Sequence, residues 1–396
     1  MSVAAIHATY SDYCQQREQR GQLRRLTPYT PLPNGRVRDA DGRELINFSS
    51  NNYLGLAHHP LLIQRAAEWT QQYGAGATAA RLVCGDLPPM AAIEAKLARG
   101  KRSEAALLLG AGYLANAALL PALLDKRVLG AEPLVFCDRL NHASMHQGCV
   151  TAGVRQIRYR HNDLDHLRAL LEKHADSDAA KFILSESVFS MDGDRADMAG
   201  LIAIKEQYGA FLYIDEAHAT GVLGPDGFGL SAQWPGRVDL AMGTFSKGLG
   251  GFGAYAACSA ALRAYLINAA GGFIYATAPP PAVLGAMDAA LDLLPQLADQ
   301  RQRLQAGSDG LRAQFTAAGL DVGASTTPII PVIVGGEAQA LALAEALKQA
   351  GMLGVAIRPP TVPKGASRVR LTLSAAHDDA DWAKLGEILP RLASAI

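Results

Sequence analysis

Short apolar runs that alternate with longer spans constrain the fold of this 396-residue chain more than any other feature. Five such runs are too short for helices: Leu134 to Asp138, Lys181 to Val188, Phe211 to Asp215, Leu240 to Thr244 and Tyr255 to Ser259. The spans between them are long enough for crossover helices. The pattern therefore predicts an α/β fold in which a mainly parallel sheet has helices on both faces.

The same pattern divides the chain into three parts. Residues 1–50 form a mostly polar N-terminal arm, with a helix expected at 10–26 and a β-turn at 39–42. Residues 51–285 carry the alternating runs and form a large domain. Residues 286–396 combine amphipathic helices with short strands, which predicts a smaller C-terminal α+β domain. A length of 396 residues with 49% hydrophobic content fits this division, because it exceeds one ordinary core.

A lone lysine, Lys247, lies in a run rich in glycine and hydroxyl side chains between Gly243 and Gly253. An amine is a nucleophile at neutral pH only where burial or a nearby cation disfavours its ammonium form, and the preceding apolar strand favours such a setting. Thr244 and Ser246 suit a phosphate group, and glycine lets backbone N–H groups approach it. A surface loop with a solvated lysine has the same composition, so this run alone leaves both interpretations open.

A second motif lies upstream, where the apolar run 211–215 ends in Asp215, Glu216 and, two residues later, His218. Ligands of open α/β sheets bind outside the carboxyl ends of the strands, so Asp215 is expected at the floor of a crevice and His218 at its rim. A buried carboxylate needs a cationic partner, and a protonated pyridine ring would supply one. Capping of the following turn is the simpler role for an acid pair at a strand end.

Together with three further segments in the same order, these motifs resemble the α-oxoamine synthase family of fold-type I pyridoxal-phosphate enzymes. The further segments are Asn47 to Leu56, Asp138 to Ser144 and Ser185 to Asp194. The resemblance runs from about Arg24 to the C-terminus. It implies that the large domain binds pyridoxal 5'-phosphate and that Lys247 forms a Schiff base with it, later moving the α-proton of an amino-acid substrate.

The resemblance also implies the other cofactor contacts. His142 would stack on the pyridine ring, and Asp215 would pair with the ring nitrogen. Ser190 and His218 would contact the ring hydroxyl, and the phosphate contacts would be Gly112, Tyr113, Thr244 and, from a partner subunit, Thr277. The last of these implies a homodimer with shared active sites. Without the neighbouring motifs, His142 is simply a residue at a helix start and Thr277 a turn residue before prolines.

For the substrates, the resemblance implies a second set of residues. Arg358 would grip the amino-acid carboxylate as a planar fork, with Asn51 assisting. Arg24 and Thr361 match substrate-contacting positions, although Arg25 beside Arg24 leaves the choice between the two arginines open. His142 would also donate to the thioester carbonyl, where negative charge develops. A solvated cation at a strand end remains the alternative for Arg358.

Within the family, residues 358–363 and 370–377 are most similar to members that condense L-alanine with a pimeloyl thioester, releasing the thiol and carbon dioxide to give 8-amino-7-oxononanoate for biotin. Other members use glycine or serine with different acyl thioesters and share every cofactor residue. A fold-type I aminotransferase is a further alternative. An inert partner subunit would lack the lysine, which this chain has at Lys247. Coenzyme A and a carrier protein both remain open as the thiol carrier.

Several other classes are disfavoured. A net charge of zero argues against nucleic acid, and five cysteines without a Cys-x-x-Cys pair predict reduced thiols in a cytoplasmic protein. The uncharged stretch 105–124 is interrupted by Gly110, Asn116 and Pro121, so a buried strand, a glycine turn and a short helix explain it better than a membrane span. The histidines and acids at 160–166 are interpreted as a helix N-terminus, and no metal site is predicted.

Overall fold

The computed structural model describes residues 1–395, which contain three β-sheets surrounded by helices. The strands in chain order are β1 (Thr30–Leu32), β2 (Arg36–Arg38), β3 (Glu44–Asn47), β4 (Ala105–Leu109), β5 (Leu134–Asp138), β6 (Gln156–Tyr159), β7 (Lys181–Glu186), β8 (Phe211–Asp215), β9 (Leu240–Thr244), β10 (Ala254–Cys258), β11 (Ile329–Gly335), β12 (Met352–Leu353), β13 (Val355–Ile357) and β14 (Ser367–Thr372).

The α-helices complete the architecture. In chain order they are α1 (Val3–Gln19), α2 (Pro60–Tyr73), α3 (Pro89–Lys101), α4 (Gly112–Leu123), α5 (Lys126–Leu129), α6 (Ala143–Ala152), α7 (Leu164–Glu172), α8 (Met198–Tyr208), α9 (Ala260–Ala269), α10 (Gly271–Ile274), α11 (Pro281–Leu293), α12 (Ala298–Ala317), α13 (Glu337–Gln349) and α14 (Asp379–Ser394). Short 3-10 and π turns connect some of them.

The largest sheet has seven strands in the order β4-β10-β9-β8-β7-β5-β6. Strands β6, β5, β7, β8 and β9 pair in parallel, and β10 is antiparallel to both of its neighbours. This confirms the prediction of a mainly parallel sheet, with β10 as its antiparallel member. Strand β6 was not predicted, because its sequence, Gln-Ile-Arg-Tyr, alternates polar and apolar residues at the edge of the sheet and forms no apolar run.

Successive residues of the central strands pack on opposite faces of this sheet, since side chains alternate along a strand. On one face, Val135 and Tyr213 pack with residues of α4, α6 and α9. On the other, Phe136 and Leu212 pack with residues of α7 and α8. Both faces are therefore covered by helices, as the apolar runs predict, and the carboxyl ends of the strands are left to form a ligand site.

The C-terminal part holds the two smaller sheets. One has the order β11-β14-β13, and the other joins β1, β2 and β3 of the N-terminal region to β12. Helices α12, α13 and α14 contribute Phe315, Leu343 and Leu385 to the core that packs against the three-stranded sheet. The strands of the N-terminal region are thus tied to the C-terminal region, because Ile46 pairs with Met352 in parallel.

Two local expectations for the N-terminal region have different outcomes. The turn at 39–42 is confirmed, since the Gly42 N–H donates to the Asp39 carbonyl over 3.1 Å. The helix expected at 10–26 was placed wrongly, because α1 spans Val3–Gln19. The Ser2 hydroxyl caps its start by accepting from the Ala5 N–H, and Gly21, with φ of 64°, follows its end.

The uncharged stretch 105–124 forms β4, a turn and α4, as expected. Pro121 does not break the helix but lies in its last turn, and Asn116 lies in its middle. Within residues 1–395, no helix combines the length and the apolar character needed to cross a membrane. At 160–166, Asp163 caps α7 by accepting from the His166 N–H, which confirms the helix start predicted there.

Candidate active site

The carboxyl ends of β7, β8 and β9 meet the N-terminus of α4 around a cavity of about 220 Å³. Its lining consists of Gly112, Tyr113, Asn116, His142, Ser144, Glu186, Asp215, Ala217, His218, Met242, Thr244, Ser246 and Lys247. Seven residues assigned from the sequence to the cofactor line this one cavity. They come from the ends of β8 and β9 and from the starts of α4 and α6, which is the arrangement expected for a ligand site of an open α/β sheet.

Lys247 is the amine of this cavity. Its Nζ lies 2.7 Å from His218 Nε2. Burial lowers the pKa of Lys247 to about 8, and Arg370 acts in the same direction, while Asp215 and Glu186 oppose the shift. A pKa near 8 leaves an appreciable neutral fraction at physiological pH, as a Schiff-base lysine requires.

Glycine brings the lysine turn into contact with the segment that follows His218. A Cβ on Gly248 would lie 2.6 Å from the carbonyl oxygen of Thr220, and one on Gly221 would lie 2.9 Å from the Cα of Gly248. Side chains at these two positions would push the turn away. The glycines therefore allow the short distance between Lys247 and His218.

His218 links the lysine to a buried tyrosine. Its Nδ1 lies 2.6 Å from the Tyr53 hydroxyl, and burial together with the charges of Lys247 and Arg370 holds the pKa of His218 well below its usual range. Burial raises the pKa of Tyr53 to about 12. At neutral pH the imidazole and the phenol are therefore both uncharged, and one hydrogen-bonded chain runs from Tyr53 to Lys247.

Asp215 is buried, with 4% of its surface exposed, and each carboxylate oxygen accepts one hydrogen bond. Oδ1 accepts from the Ala217 N–H over 2.9 Å, and Oδ2 accepts from Asn116 Nδ2 over 2.8 Å. Both partners are neutral, so neither compensates the negative charge. A buried carboxylate in this position is suited to a cationic ring nitrogen.

His142 is positioned at the start of α6. Its backbone N–H donates to Glu186 Oε1 over 2.5 Å. Its imidazole ring lies edge-on to the ring of Tyr113, with centroids 6.3 Å apart. Burial lowers the pKa of His142, so the imidazole is neutral. A flat, neutral ring at the wall of the cavity suits stacking on an aromatic cofactor.

The residues present fit pyridoxal phosphate. At the phosphate end, α4 begins at Gly112 after Ala111, which provides no side-chain cap, so its first N–H groups remain free to bind an anion. The hydroxyl oxygens of Thr244 and Ser246 lie 3.0 Å apart and line the same cavity. At the other end, Asp215 is available to the ring nitrogen. An anion site, an acid and a lysine with a lowered pKa therefore share one cavity.

Other predicted residues lie outside the lining of this cavity. Ser190 accepts a hydrogen bond through its carbonyl oxygen from Arg370 Nε over 2.6 Å, and Asn51 Oδ1 accepts from Arg370 Nη2 over 3.1 Å. Arg370 itself is 7% exposed. Arg370 begins the segment 370–377, and the sequence predicted no role for it. It is nevertheless the cation whose charge acts on Lys247 and His218.

Three predicted substrate residues form a separate group, here called the Arg24 cluster: Arg24, Arg358 and Thr361. Arg24 Nη2 donates to Thr361 Oγ1 over 3.2 Å, and Arg358 donates to the carbonyl oxygen of Gly21. Arg25 instead pairs with Glu18 over 2.5 Å. Arg24, and not Arg25, is therefore the arginine in contact with Thr361.

Thr277 is exposed, and its backbone bridges to Ala80. Large apolar side chains around it are also exposed, with Val83 at 78% and Tyr275 at 86%. Such a patch is typical of an interaction surface. Thr277 does not line the cavity of its own chain.

Besides Arg370, four residues of the site were not predicted from the sequence: Glu186, Asn116, Ser144 and Tyr53. Two of them carried a signal. Glu186 is an acid at a strand end, as Asp215 is, and Asn116 is the only polar side chain in the apolar stretch 114–124. A lone amide in a buried helix needs partners, so this position could have been assigned to the site.

Comparison with known proteins first defines the class. The sequence profile of the family "Aminotransferase class I and II" matches residues 43–389. A serine palmitoyltransferase from Sphingomonas wittichii superposes with a TM-score of 0.90 at 27% identity, covering 98% of both chains. The chain has the fold of the fold-type I pyridoxal-phosphate transferases, and its cofactor is pyridoxal phosphate.

The relatives narrow the class. The 8-amino-7-oxononanoate synthase of Gluconacetobacter diazotrophicus is 59% identical over 341 residues, covering 86% of this chain and 85% of the relative. A solved 8-amino-7-oxononanoate synthase from Francisella tularensis superposes with a TM-score of 0.75 at 26% identity, covering 89% of this chain and 98% of the other. The protein belongs to the α-oxoamine synthase family, whose members are pyridoxal-phosphate-dependent acyltransferases.

Proposed function

We propose that the protein condenses L-alanine with a pimeloyl thioester, releasing thiol and carbon dioxide, to make 8-amino-7-oxononanoate for biotin. Its similarity to synthases of that name supports the choice of substrates. The five cysteines, all free, support a reducing cytoplasmic location. The observation that carries the chemistry is the pairing of a lysine of lowered pKa with a buried acid in one cavity.

Lys247 would act as the base that removes the α-proton of alanine. Its pKa of about 8 allows the neutral amine to accept a proton and then to return it. When bound, pyridoxal phosphate draws electrons away from the α-carbon, which makes that proton more acidic. Asp215 would pair with the ring nitrogen and His218 with the ring hydroxyl. His142, neutral at this pH, would donate a hydrogen bond to the thioester carbonyl.

The alanine carboxylate needs a cation near Lys247. The sequence suggests Arg358 with Asn51. Asn51 accepts a hydrogen bond from Arg370, while Arg358, in the Arg24 cluster, donates to the Gly21 carbonyl. We therefore assign the carboxylate to Arg370 and Asn51. The Arg24 cluster, which is more exposed, would contact the acyl thioester.

The exposed apolar patch around Thr277 supports a homodimer in which Thr277 of each chain reaches the phosphate of the other. Light scattering would measure the mass of the assembly. Mixed dimers of Lys247→Ala and Thr277→Ala chains would test the sharing, since each such dimer keeps one site with both residues. Activity in the mixture that stays at the sum of the two separate variants would contradict a shared site.

The decisive test is a substrate panel. The purified protein with pyridoxal phosphate would be incubated with alanine, glycine or serine and with pimeloyl, acetyl, succinyl or palmitoyl thioesters of coenzyme A and of a carrier protein. Thiol release would be followed, and the product identified by mass. Alanine with a pimeloyl thioester should give the highest kcat/KM. Preference for serine with a palmitoyl thioester would favour the alternative suggested by the serine palmitoyltransferase fold match.

A fold-type I aminotransferase would behave differently. It would convert the cofactor to its amine form on addition of alanine alone and would need only a keto acid as second substrate. The same panel without thioester separates the two activities. Stoichiometric formation of pyruvate from alanine, with no thiol released in the full reaction, would replace the present proposal.

A further inference from the structure

One buried side chain joins two of the residues assigned to the cofactor. Asn116, in the middle of α4, is 1% exposed. Its Nδ2 donates to Asp215 Oδ2 over 2.8 Å and to Ser144 Oγ over 2.9 Å. Its Oδ1 accepts from the Tyr213 hydroxyl over 2.5 Å. The amide thus uses both of its N–H groups and its carbonyl within the wall of the cavity.

The orientation of the amide follows from its partners. A carboxylate only accepts hydrogen bonds, so the atom of Asn116 that faces Asp215 Oδ2 is the nitrogen. The opposite face then presents the carbonyl oxygen to Tyr213. Burial raises the pKa of Tyr213 well above its usual range, so the phenol keeps its proton and donates it. All three contacts are consistent with this orientation, and the contact with Asp215 fixes it.

The orientation of the Asn116 amide determines which ring nitrogen of His142 carries the proton. An amide N–H can only donate, so the Ser144 oxygen accepts from Asn116 and its own proton is left to donate to His142 Nδ1, 2.7 Å away. The Ser144 N–H also points at Nδ1 over 3.3 Å. With two donors directed at it, Nδ1 is the unprotonated nitrogen. The proton of the neutral ring is then on Nε2.

We propose that Asn116 is a positioning residue that couples Asp215 to His142. It orients the carboxylate through one N–H group and, through the Ser144 hydroxyl, holds the imidazole in the tautomer that carries its proton on Nε2. The ring edge that remains free for a substrate carbonyl is then a hydrogen-bond donor. The proposal rests on the roles proposed above for Asp215 and His142, but on no particular substrate.

The tautomer can be measured without substrate. Histidine labelled with 15N in the ring reports directly which nitrogen is protonated, and the His142 signals are identified by their loss in His142→Gln. At pH 8 the wild-type protein should show Nε2 protonated and Nδ1 unprotonated. In Ser144→Ala and Asn116→Asp the signals should shift toward a mixture of tautomers, because the hydroxyl donor is absent in the first and is turned toward the new carboxylate in the second.

Ser308→Ala is the matched control for Ser144→Ala. Ser308 is a buried helical serine whose hydroxyl donates to the Leu304 carbonyl over 2.6 Å, outside the cavity. The control should leave the His142 signals unchanged. Unaltered His142 signals in Ser144→Ala would overturn the proposal, and so would a wild-type ring protonated on Nδ1.

Cofactor binding provides a second readout, which involves Asp215. Titration of the apoprotein with pyridoxal phosphate should show that Asn116→Asp weakens binding by about tenfold or more, since a buried group loses its partner. Ser144→Ala should weaken it less, because the contact to Asp215 remains. Equal losses in the two variants would contradict the branched role of Asn116. If the wild-type protein released no thiol in the substrate panel, the proposed substrates would be wrong. The His142 tautomer and the cofactor affinity would still test the role of Asn116.

Discussion

The cavity around Lys247 and the Arg24 cluster differ in how firmly the chain itself fixes their side chains. In the cavity, Lys247, His218 and Asp215 bond to other side chains and to backbone groups of the core. In the Arg24 cluster, Arg24 and Thr361 are exposed, and their mutual contact is 3.2 Å long. The difference shows that the side chains around Lys247 are fixed before any ligand binds, whereas those of the Arg24 cluster, for which substrate contacts are proposed, are reached by solvent.

Burial predicts that the two regions will respond differently to substitution. Removing one partner of a buried polar pair leaves the other unsatisfied, which costs about 1–3 kcal/mol, while an exposed pair contributes about 0–1 kcal/mol. Substitutions in the cavity should therefore alter chemistry and cofactor binding strongly. Substitutions in the Arg24 cluster should alter substrate affinity modestly.

The largest effect is expected from Lys247→Ala. The variant should lose turnover and the yellow absorbance of the lysine-bound cofactor, because no other amine lines the cavity. Spectra and thiol release would measure both. Lys173→Ala, which removes an exposed lysine, serves as the control and should behave as the wild type. Normal turnover in Lys247→Ala would refute the assignment.

Arg370 and Arg358 are the two candidates for binding the amino-acid carboxylate. Substituting each in turn decides between them. Arg370→Lys keeps the charge but loses the fork that contacts Asn51 and Ser190, and it should raise the KM for alanine by roughly 10- to 100-fold, the size expected for a lost charge-assisted contact. Arg358→Lys should change it by only a few-fold. The reverse order would move the carboxylate to the Arg24 cluster.

The sequence predicted the floor of the cavity better than its outer contacts. Asp215, Thr244 and Lys247 were recognisable because each lies at or just after the end of a short apolar strand, and strand ends meet at one edge of a parallel sheet. Arg370 was missed because an arginine inside a strand is ordinarily exposed, and only the fold brings Ser190 and Asn51 to its guanidinium. Contacts across more than a hundred residues leave no local pattern.

The substitution His161→Gln tests whether the segments at the rim of the cavity are also held in place by buried side chains. The ring of His161 bridges Asp138 and Asp194 over 3.0 and 2.8 Å, and so ties the segment before His142 to the loop that contains Ser190. His161→Gln should lower the free energy of unfolding by about 2 kcal/mol, because a buried acid loses a charged partner. Urea denaturation would measure it, with His166→Gln as the control.

The stability of the wild-type protein should also depend on pH through this histidine. The hydrogen bonds to Asp138 and Asp194 raise the pKa of His161 to about 10 against burial, from 6.5 in the unfolded chain. A group whose pKa is raised on folding stabilises fully below its unfolded pKa and loses that contribution as pH rises through its folded pKa. The difference between wild type and His161→Gln should thus shrink from pH 6.5 to pH 10. A constant difference over that range would show that His161 is not charged.

The rate of cofactor capture by the apoprotein should follow the ionisation of Lys247. Below a pKa of about 8 the ammonium form predominates, so the rate should rise about tenfold for each pH unit in that range and level off above it. Stopped-flow absorbance between pH 6 and pH 11 would measure the rate. Levelling only near pH 10, as for a solvated lysine, would contradict the buried setting of Lys247.

The smallest effect is expected at the Arg24 cluster, where two adjacent arginines make different contacts. Arg24 donates to Thr361, whereas Arg25 pairs with the exposed Glu18. If the cluster binds the acyl thioester, Arg24→Ala should raise the KM for the thioester by roughly threefold to tenfold, the effect of an exposed charge contact, with kcat unchanged. Arg25→Ala should leave both constants unchanged. Because both arginines are exposed and carry the same charge, equal effects would show that the cluster attracts the substrate only through its overall charge, and that the contact with Thr361 contributes nothing to recognition.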